Sequence, residues 1–345
     1  MNIWNIKKPK ILYGIQTTGC GHLGRALEMV PKLQKRAHVD VVLSGPENDF
    51  ELPFEVQYRF KGLGFILGRG GNIDYLQTLL DASLPKIYSE GRTLPVKDYD
   101  LVITDFEPIS AWAAKINKVP CIGFGNQYAF AHKNSFFYQR SQQLHRFFIQ
   151  FFAPCHRSIA IDYKTEKPDL FSPIIRSQIR SIIPSEGRHY TVYLNAYNVE
   201  EVEAVLMGFP QISWHVFSSR IKTKSQKGLI TYFPINQSCF VESVASCRGV
   251  ITGAGFSSTS ETLFLKKKLL VVPTKLQFEQ KANARVLRKM GVNVIPNFTK
   301  RYTNAIKYWL EEALPLEVDY PENTDQLIDR IFELVEEVRA DLQKK

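Results

Sequence analysis

The feature that most limits the fold is an alternation that runs through the chain twice. Short β-branched segments (KILYGIQ, VDVVLSG, DLVITD, PCIGFG and SIAID) alternate with helical patterns over the first part of the sequence. Apolar runs of this length suit strands buried on both faces, and alternation with helices is the pattern of a parallel α/β sheet. A stretch punctuated by Pro168, Pro173, Pro184 and Gly187 interrupts the pattern. It restarts with HYTVYLNA, SWHVFSS, LITYF, RGVITG, LLVVP and VNVIP. At 345 residues the chain exceeds the usual size of one domain, so two α/β domains are expected. The expected boundaries are a Rossmann-like domain over 1–170, a linker over 171–187, a second doubly wound domain over 188–321, and a terminal helix over 322–345. In that helix Leu327, Ile328, Ile331, Leu334, Val335, Val338 and Leu342 form one apolar stripe, which should pack back on the body.

Composition narrows the class of partner. A formal charge of +10 points to something anionic: a phosphate-bearing ligand, an acidic membrane surface or nucleic acid. The basic residues are dispersed and no nucleic-acid motif occurs, so nucleic acid is not expected. No run approaches the ~20 apolar residues that span a bilayer. The opening MNIWNIKKPK has no apolar h-region, so secretion is not expected. The five cysteines at 20, 121, 155, 239 and 247 are odd in number and lack a CxxC pair, which argues against a disulfide framework and against a zinc site. A cytoplasmic location is the expectation.

Two Gly-rich turns carry the chemistry. The second, VITGAG, ends a strand and leads into a helix opened by Ser257, Ser258, Thr259 and Ser260. Unpaired N–H groups and the positive helix end can meet a diphosphate there without a metal. The first holds Gly19, Gly21 and Gly24 in a literal GxGxxG. A dinucleotide site would also need an acid at the end of the next strand, where this chain has Ser44 and Gly45, so NAD is disfavoured and only an NADP-type reading survives, weakened. His22, between two of those glycines, can act as a base. Asp105, at the end of DLVITD, can orient the imidazole, or it caps the helix that begins near Pro108. Glu107 and Asn126 also stand at strand ends, as weaker candidates for contacts to an acceptor.

These residues resemble those of the inverting GT-B glycosyltransferases, the group that holds the family 1 UDP-glycosyltransferases and the family 28 enzymes such as the peptidoglycan GlcNAc transferase. The likeness is most specific in ITGAGFSSTSETL…VVPTKLQFEQKANA, and GxGH followed by Arg25 resembles the first-domain turn. It implies two Rossmann-like domains facing across a cleft, and no cofactor besides a UDP-sugar or other NDP-sugar as donor substrate. By position, Gly253, Ala254, Gly255, Phe256, Ser257 and Ser258 would bind the diphosphate, and Glu261 the ribose hydroxyls. Glu279 and Gln280 would read sugar hydroxyls, with Gln277 and Asn283 beside them, and Tyr232 or Phe233 would meet the base. The spacing from Pro273 leaves the roles of Gln277 and Glu279 interchangeable, and Lys266, Lys267 and Lys268 stand where the family often has a small residue. Gly19, Gly21, Arg25 and Asn126 would form the acceptor side. The implied reaction is a single inverting displacement onto a hydroxyl acceptor, lipid-linked or cell-envelope glycans among the candidates, with His22 as base and no metal. The alternatives are a UDP-sugar epimerase of the same fold and a non-catalytic nucleotide-sugar-binding subunit.

One further stretch stands apart. Residues 135–157 place Phe136, Phe137, Tyr138, Phe147, Phe148, Phe151 and Phe152 among Arg146 and Arg157. That composition suits a helix in peripheral contact with an anionic membrane, and it equally suits a buried helix with a charged outer face.

Overall fold

The computed structural model describes residues 8–18, 20–46, 52–61, 67–68, 72–73, 84–138, 143–165, 170–275 and 277–344. The chain forms two compact units, one of residues 1–67, 73–176 and 321–345, the other of residues 68–72 and 177–320.

The sheet of the first unit comprises β1 (Lys10–Gln16), β2 (His38–Ser44), β3 (Tyr58–Phe60), β4 (Leu101–Asp105), β5 (Cys121–Gly125), β6 (Arg157–Ile161) and β7 (Leu170–Phe171). Their order is β3-β2-β1-β4-β5-β6-β7, and every pairing is parallel. This is the doubly wound arrangement, whose strand order reverses between β1 and β4 and leaves a crevice at the carboxyl ends there. The helices are α1 (Cys20–Arg36), α2 (Leu84–Thr93), α3 (Pro108–Asn117) and α4 (Gln143–Phe152). On α1, Leu23, Ala26, Val30 and Leu33 are fully buried, one stripe at helical spacing. Leu27, one position off it, is only half-buried. The strand β7 falls where the proline punctuation reads as the start of a linker. It extends the sheet by two residues, with Asp162 N–H donating to Phe171 O at 3.0 Å.

The second unit repeats the plan. Its strands are β8 (His189–Tyr193), β9 (Ser213–Ser218), β10 (Ser225–Lys227), β11 (Ile230–Pro234), β12 (Gly249–Thr252), β13 (Lys268–Val271) and β14 (Asn293–Val294). The order is β10-β11-β9-β8-β12-β13-β14. The short edge strand β10 runs antiparallel to β11, and the other pairings are parallel. The helices are α5 (Val199–Leu206), α6 (Gln237–Ser246), α7 (Phe256–Phe264), α8 (Phe278–Lys289) and α9 (Thr303–Glu311). One face packs large rings, with Tyr190 centred 5.5 Å from Trp214 and 5.3 Å from Trp309.

The last helix, α10 (Thr324–Gln343), returns to the first unit. Leu327, Ile328, Ile331 and Val335 are fully buried. Lys32 meets Glu322 and Asp325, and Arg36 meets Asp329, along its exposed edge. Exposed pairs of this kind contribute little, so the buried stripe holds the helix in place. Ile331→Ala is expected to destabilise the first unit by about 2–5 kcal/mol. A urea titration followed by circular dichroism should show a lower midpoint, and an unmoved midpoint would show that the helix is not part of that core.

Candidate functional site

In the first unit, the switch point brings three charged or polar side chains into one buried cluster. Asp105 ends β4 and pairs in register with Ile15 of β1, so it lies beside the turn that leads into α1. His22 and Arg25 are three residues apart on α1 and share a face. His22 Nδ1 lies 2.8 Å from Asp105 Oδ1. Arg25 grips the same carboxylate with two nitrogens, Nη2 to Oδ1 at 2.6 Å and Nε to Oδ2 at 3.0 Å. Asp105 is 0% exposed, Arg25 4% and His22 7%. Burial opposes the charge on Asp105, but Arg25 and then His22 outweigh it and hold the carboxyl below its ordinary value. Arg25 Nη1 also reaches Asn126 Oδ1 at 3.4 Å. Gly125, just before Asn126, has φ +135°, a conformation few other residues adopt.

His22 Nδ1 also stands 2.7 Å from Arg25 Nη2. A carboxylate oxygen accepts from two donors readily, so a proton on Nδ1 and the Nη2 proton can share Asp105 Oδ1. That arrangement leaves Nε2 as the acceptor of the ring. Gly21 is half-buried at the start of α1, and Gly19 lies outside the described residues.

Two sequence expectations change here. The helix α3 is capped by Glu107, not by Asp105: its carboxylate accepts from Ile109 N–H at 2.6 Å and Ser110 N–H at 2.7 Å. Ser44 Oγ donates to the same carboxylate at 2.6 Å. Glu107 is fully buried, and burial raises its pKa, so it is a structural cap and is not open to an acceptor. Ser44 is likewise engaged and fully buried, which removes the hydroxyl that an NADP-type phosphate would need.

In the second unit the switch point lies between β8 and β12, and β12 runs into Gly253, Ala254 and Gly255. Gly255 is the N-cap of α7, and no side-chain hydrogen bond caps that helix. The N–H groups of its first turn lie at the open end of the helix, and the positive end of the helix dipole lies there. Ser258 Oγ donates to Gly255 O at 3.1 Å. Glu261 is half-buried in the next turn. Across from the turn, Gln280 Oε1 accepts from Ala254 N–H at 3.2 Å and Asn283 Nδ2 donates to Ala254 O at 2.7 Å. Gln277 is the N-cap of α8, and Glu279 sits half-buried in its first turn.

Of the two rings expected to meet a base, Tyr232 is withdrawn. It is buried in the core, and its hydroxyl donates to Glu203 Oε2 at 2.6 Å. Phe233, the next residue on β11, points to the other side of the pleat. It is half-buried, stacked on Phe217 at 4.8 Å and 11°, with Lys224 Nζ 4.9 Å from its centroid. His215 follows at 5.0 Å and stacks on His189 at 3.7 Å. Both imidazoles lie within hydrogen-bond distance of Ser243 Oγ.

Among the described residues no group of three or more His, Cys, Asp or Glu side chains is placed to hold a metal ion. No described helix is long and apolar enough to cross a membrane. The stretch at 135–157 divides its aromatics: Phe137 and Phe152 are buried, whereas Phe147 is 65% exposed.

Two Rossmann-like sheets of this kind are the architecture of the GT-B glycosyltransferases. The chain belongs to glycosyl transferase family 1, whose family model matches residues 9–314. No curated protein matches it in sequence. Among solved structures it is similar to Arabidopsis thaliana UGT89C1 complexed with UDP, at TM-score 0.60 and 12% identity over 94% of this chain and 100% of that one. It is similar to the glycosyltransferase SnogD from Streptomyces nogalater, at TM-score 0.57 and 10% identity over 94% and 100%. It is also similar to the glycosyltransferase VinC in complex with dTDP, at TM-score 0.51 and 13% identity over 97% and 100%.

Two outcomes are expected from this geometry. Asp105→Ala leaves the Arg25 guanidinium buried without its carboxylate and should cost about 3–5 kcal/mol; a thermal melt near that of the parent protein would contradict the ion-pair account. Burial, then the neighbouring His189 and Lys224, push His215 down to about 4, and burial also lowers His189. The unfolded chain therefore binds more protons than the folded one between about 6.5 and about 4. Stability should be constant above that window and fall as the pH drops through it. Urea midpoints between pH 7.5 and 4.5 test this, and His215→Gln should flatten the slope.

Proposed function

We propose that the protein transfers a sugar from a UDP-sugar to a hydroxyl acceptor, with inversion at the anomeric carbon. The observation that carries the reading is the α7 N-terminus, without a side-chain cap, at the switch point of the second sheet, in a chain of glycosyl transferase family 1. The N–H groups from Phe256 to Ser258 suit a diphosphate, whose charge grows as it leaves. Glu261 takes the ribose hydroxyls, because a carboxylate accepts both donors of a vicinal diol. Phe233 supports the base, and Glu279 and Gln277 face the sugar. Nucleotide-bound relatives of the fold support this choice of ligand: UGT89C1 has been seen with UDP and with UDP-L-rhamnose, and VinC with dTDP.

The first unit supplies the base. With Asp105 on Nδ1, His22 Nε2 removes the proton of the acceptor hydroxyl, and Asp105 stabilises the imidazolium that forms. Arg25 holds Asp105 in the orientation this requires. The same unit offers a cavity of about 420 Å³ lined by Lys133, Tyr138, Arg146 and the exposed Phe147, which suits an acceptor or lipid surface that is partly apolar and partly anionic.

Calorimetric titration with UDP, with NADPH as control, tests the donor site. UDP should bind, and Glu261→Ala should weaken it by about 10- to 100-fold. Binding of NADPH in place of UDP would overturn the reading. For the base, His22→Ala should lower kcat by about 10²–10⁴ with UDP affinity unchanged. Activity retained in that variant would assign the proton transfer elsewhere.

A further inference from the structure

We propose that Gln280 and Asn283 are positioning residues that set the diphosphate turn. This rests on the donor reading above. The two residues are three apart on α8 and so share one face. From that face they hold both polar groups of a single residue: Gln280 Oε1 accepts the Ala254 N–H at 3.2 Å, and Asn283 Nδ2 donates to the Ala254 carbonyl at 2.7 Å. Gln280 Oε1 accepts a second backbone donor, Thr274 N–H, at 3.0 Å. Ala254 follows β12 and Thr274 follows β13, neighbouring strands that pair in register at Thr252 and Val271. One side-chain oxygen therefore ties together the two loops that frame the start of α7.

The chemistry of each amide fits this role. A carbonyl oxygen has two lone pairs, and both of those on Gln280 are engaged by backbone donors. Two N–H groups aimed at one atom also decide which end of the amide is oxygen. Asn283 is fully buried, and its Oδ1 has no partner among the described residues. Burying a polar atom unpaired is costly, and an apolar residue of similar size would avoid that cost while losing the hold on Ala254. Gly253 is close to the same clamp: a Cβ there would lie 3.3 Å from Gln280 Oε1. With its own N–H taken, Ala254 is not a donor to an anion. Its fixed peptide instead directs the chain so that the N–H groups after Gly255 open the helix toward the ligand.

The test is calorimetric titration of the whole protein and of Gln280→Met with UDP and, separately, with uridine. Neither probe carries a transferred sugar, and only UDP carries the diphosphate. Gln280→Met should lower UDP affinity about tenfold, the loss expected when buried donors are left without an acceptor, and should leave uridine affinity unchanged. Asn283→Ala should give the same signature and serves if Gln280→Met does not fold. Unchanged UDP affinity in both variants would overturn the proposal. Equal losses for UDP and uridine would show general damage to the domain and would overturn it as well. Failure of the parent protein to bind UDP would instead remove the donor reading on which the proposal stands.

Discussion

The first unit depends on one buried carboxylate. Asp105 is fully buried, and an isolated charge in such a place is strongly disfavoured. It is tolerated because Arg25 presents two nitrogens to it and His22 a third. The requirement runs in both directions, since the Arg25 guanidinium is as deeply buried and as dependent on its partner. The ends of β1 and β4 and the first turn of α1 all serve this meeting. The His22 imidazole is thereby held at its Nδ1 edge by a charge that burial alone would have disfavoured.

The second unit solves a different electrostatic problem with the same topology. At its switch point stand backbone N–H groups and a helix dipole, which need no charged side chain and no desolvated ion pair. The two switch points thus differ in kind: the first gathers charged side chains, and the second presents main-chain N–H groups. Long side chains on α8 then act on backbone geometry, a role in which an amide is more useful than a charge.

Much of this was legible in the sequence. Strand alternation and its restart marked two parallel sheets, and the two Gly-rich turns marked their switch points, because parallel strands and helix starts impose strong local patterns. His22 and Asp105 were also visible, since each stands at the end of a strand-turn unit. What the sequence hid was partnership across distance. Arg25 stands one turn after His22, but its engagement with Asp105, 80 positions further on, depends on strand order. Asp105 read equally as a partner of the imidazole and as the α3 cap until the fold placed it against α1 and gave the cap to Glu107. Tyr232 and Phe233 differ by one position, and only the pleat decides which is buried. The edge strands β7 and β10 are too short to leave a period.

The account turns on which nitrogen of His22 carries the proton. Long-range ¹H–¹⁵N correlation spectra of histidine-labelled protein at neutral pH, with His22 assigned by comparison with His22→Gln, answer this directly. The proton should reside on Nδ1, facing Asp105, with Nε2 bare to accept the proton of an acceptor hydroxyl. A proton found on Nε2, with Nδ1 bare and taking its hydrogen bond from Arg25, would leave the ring without a base facing the acceptor and would contradict the account.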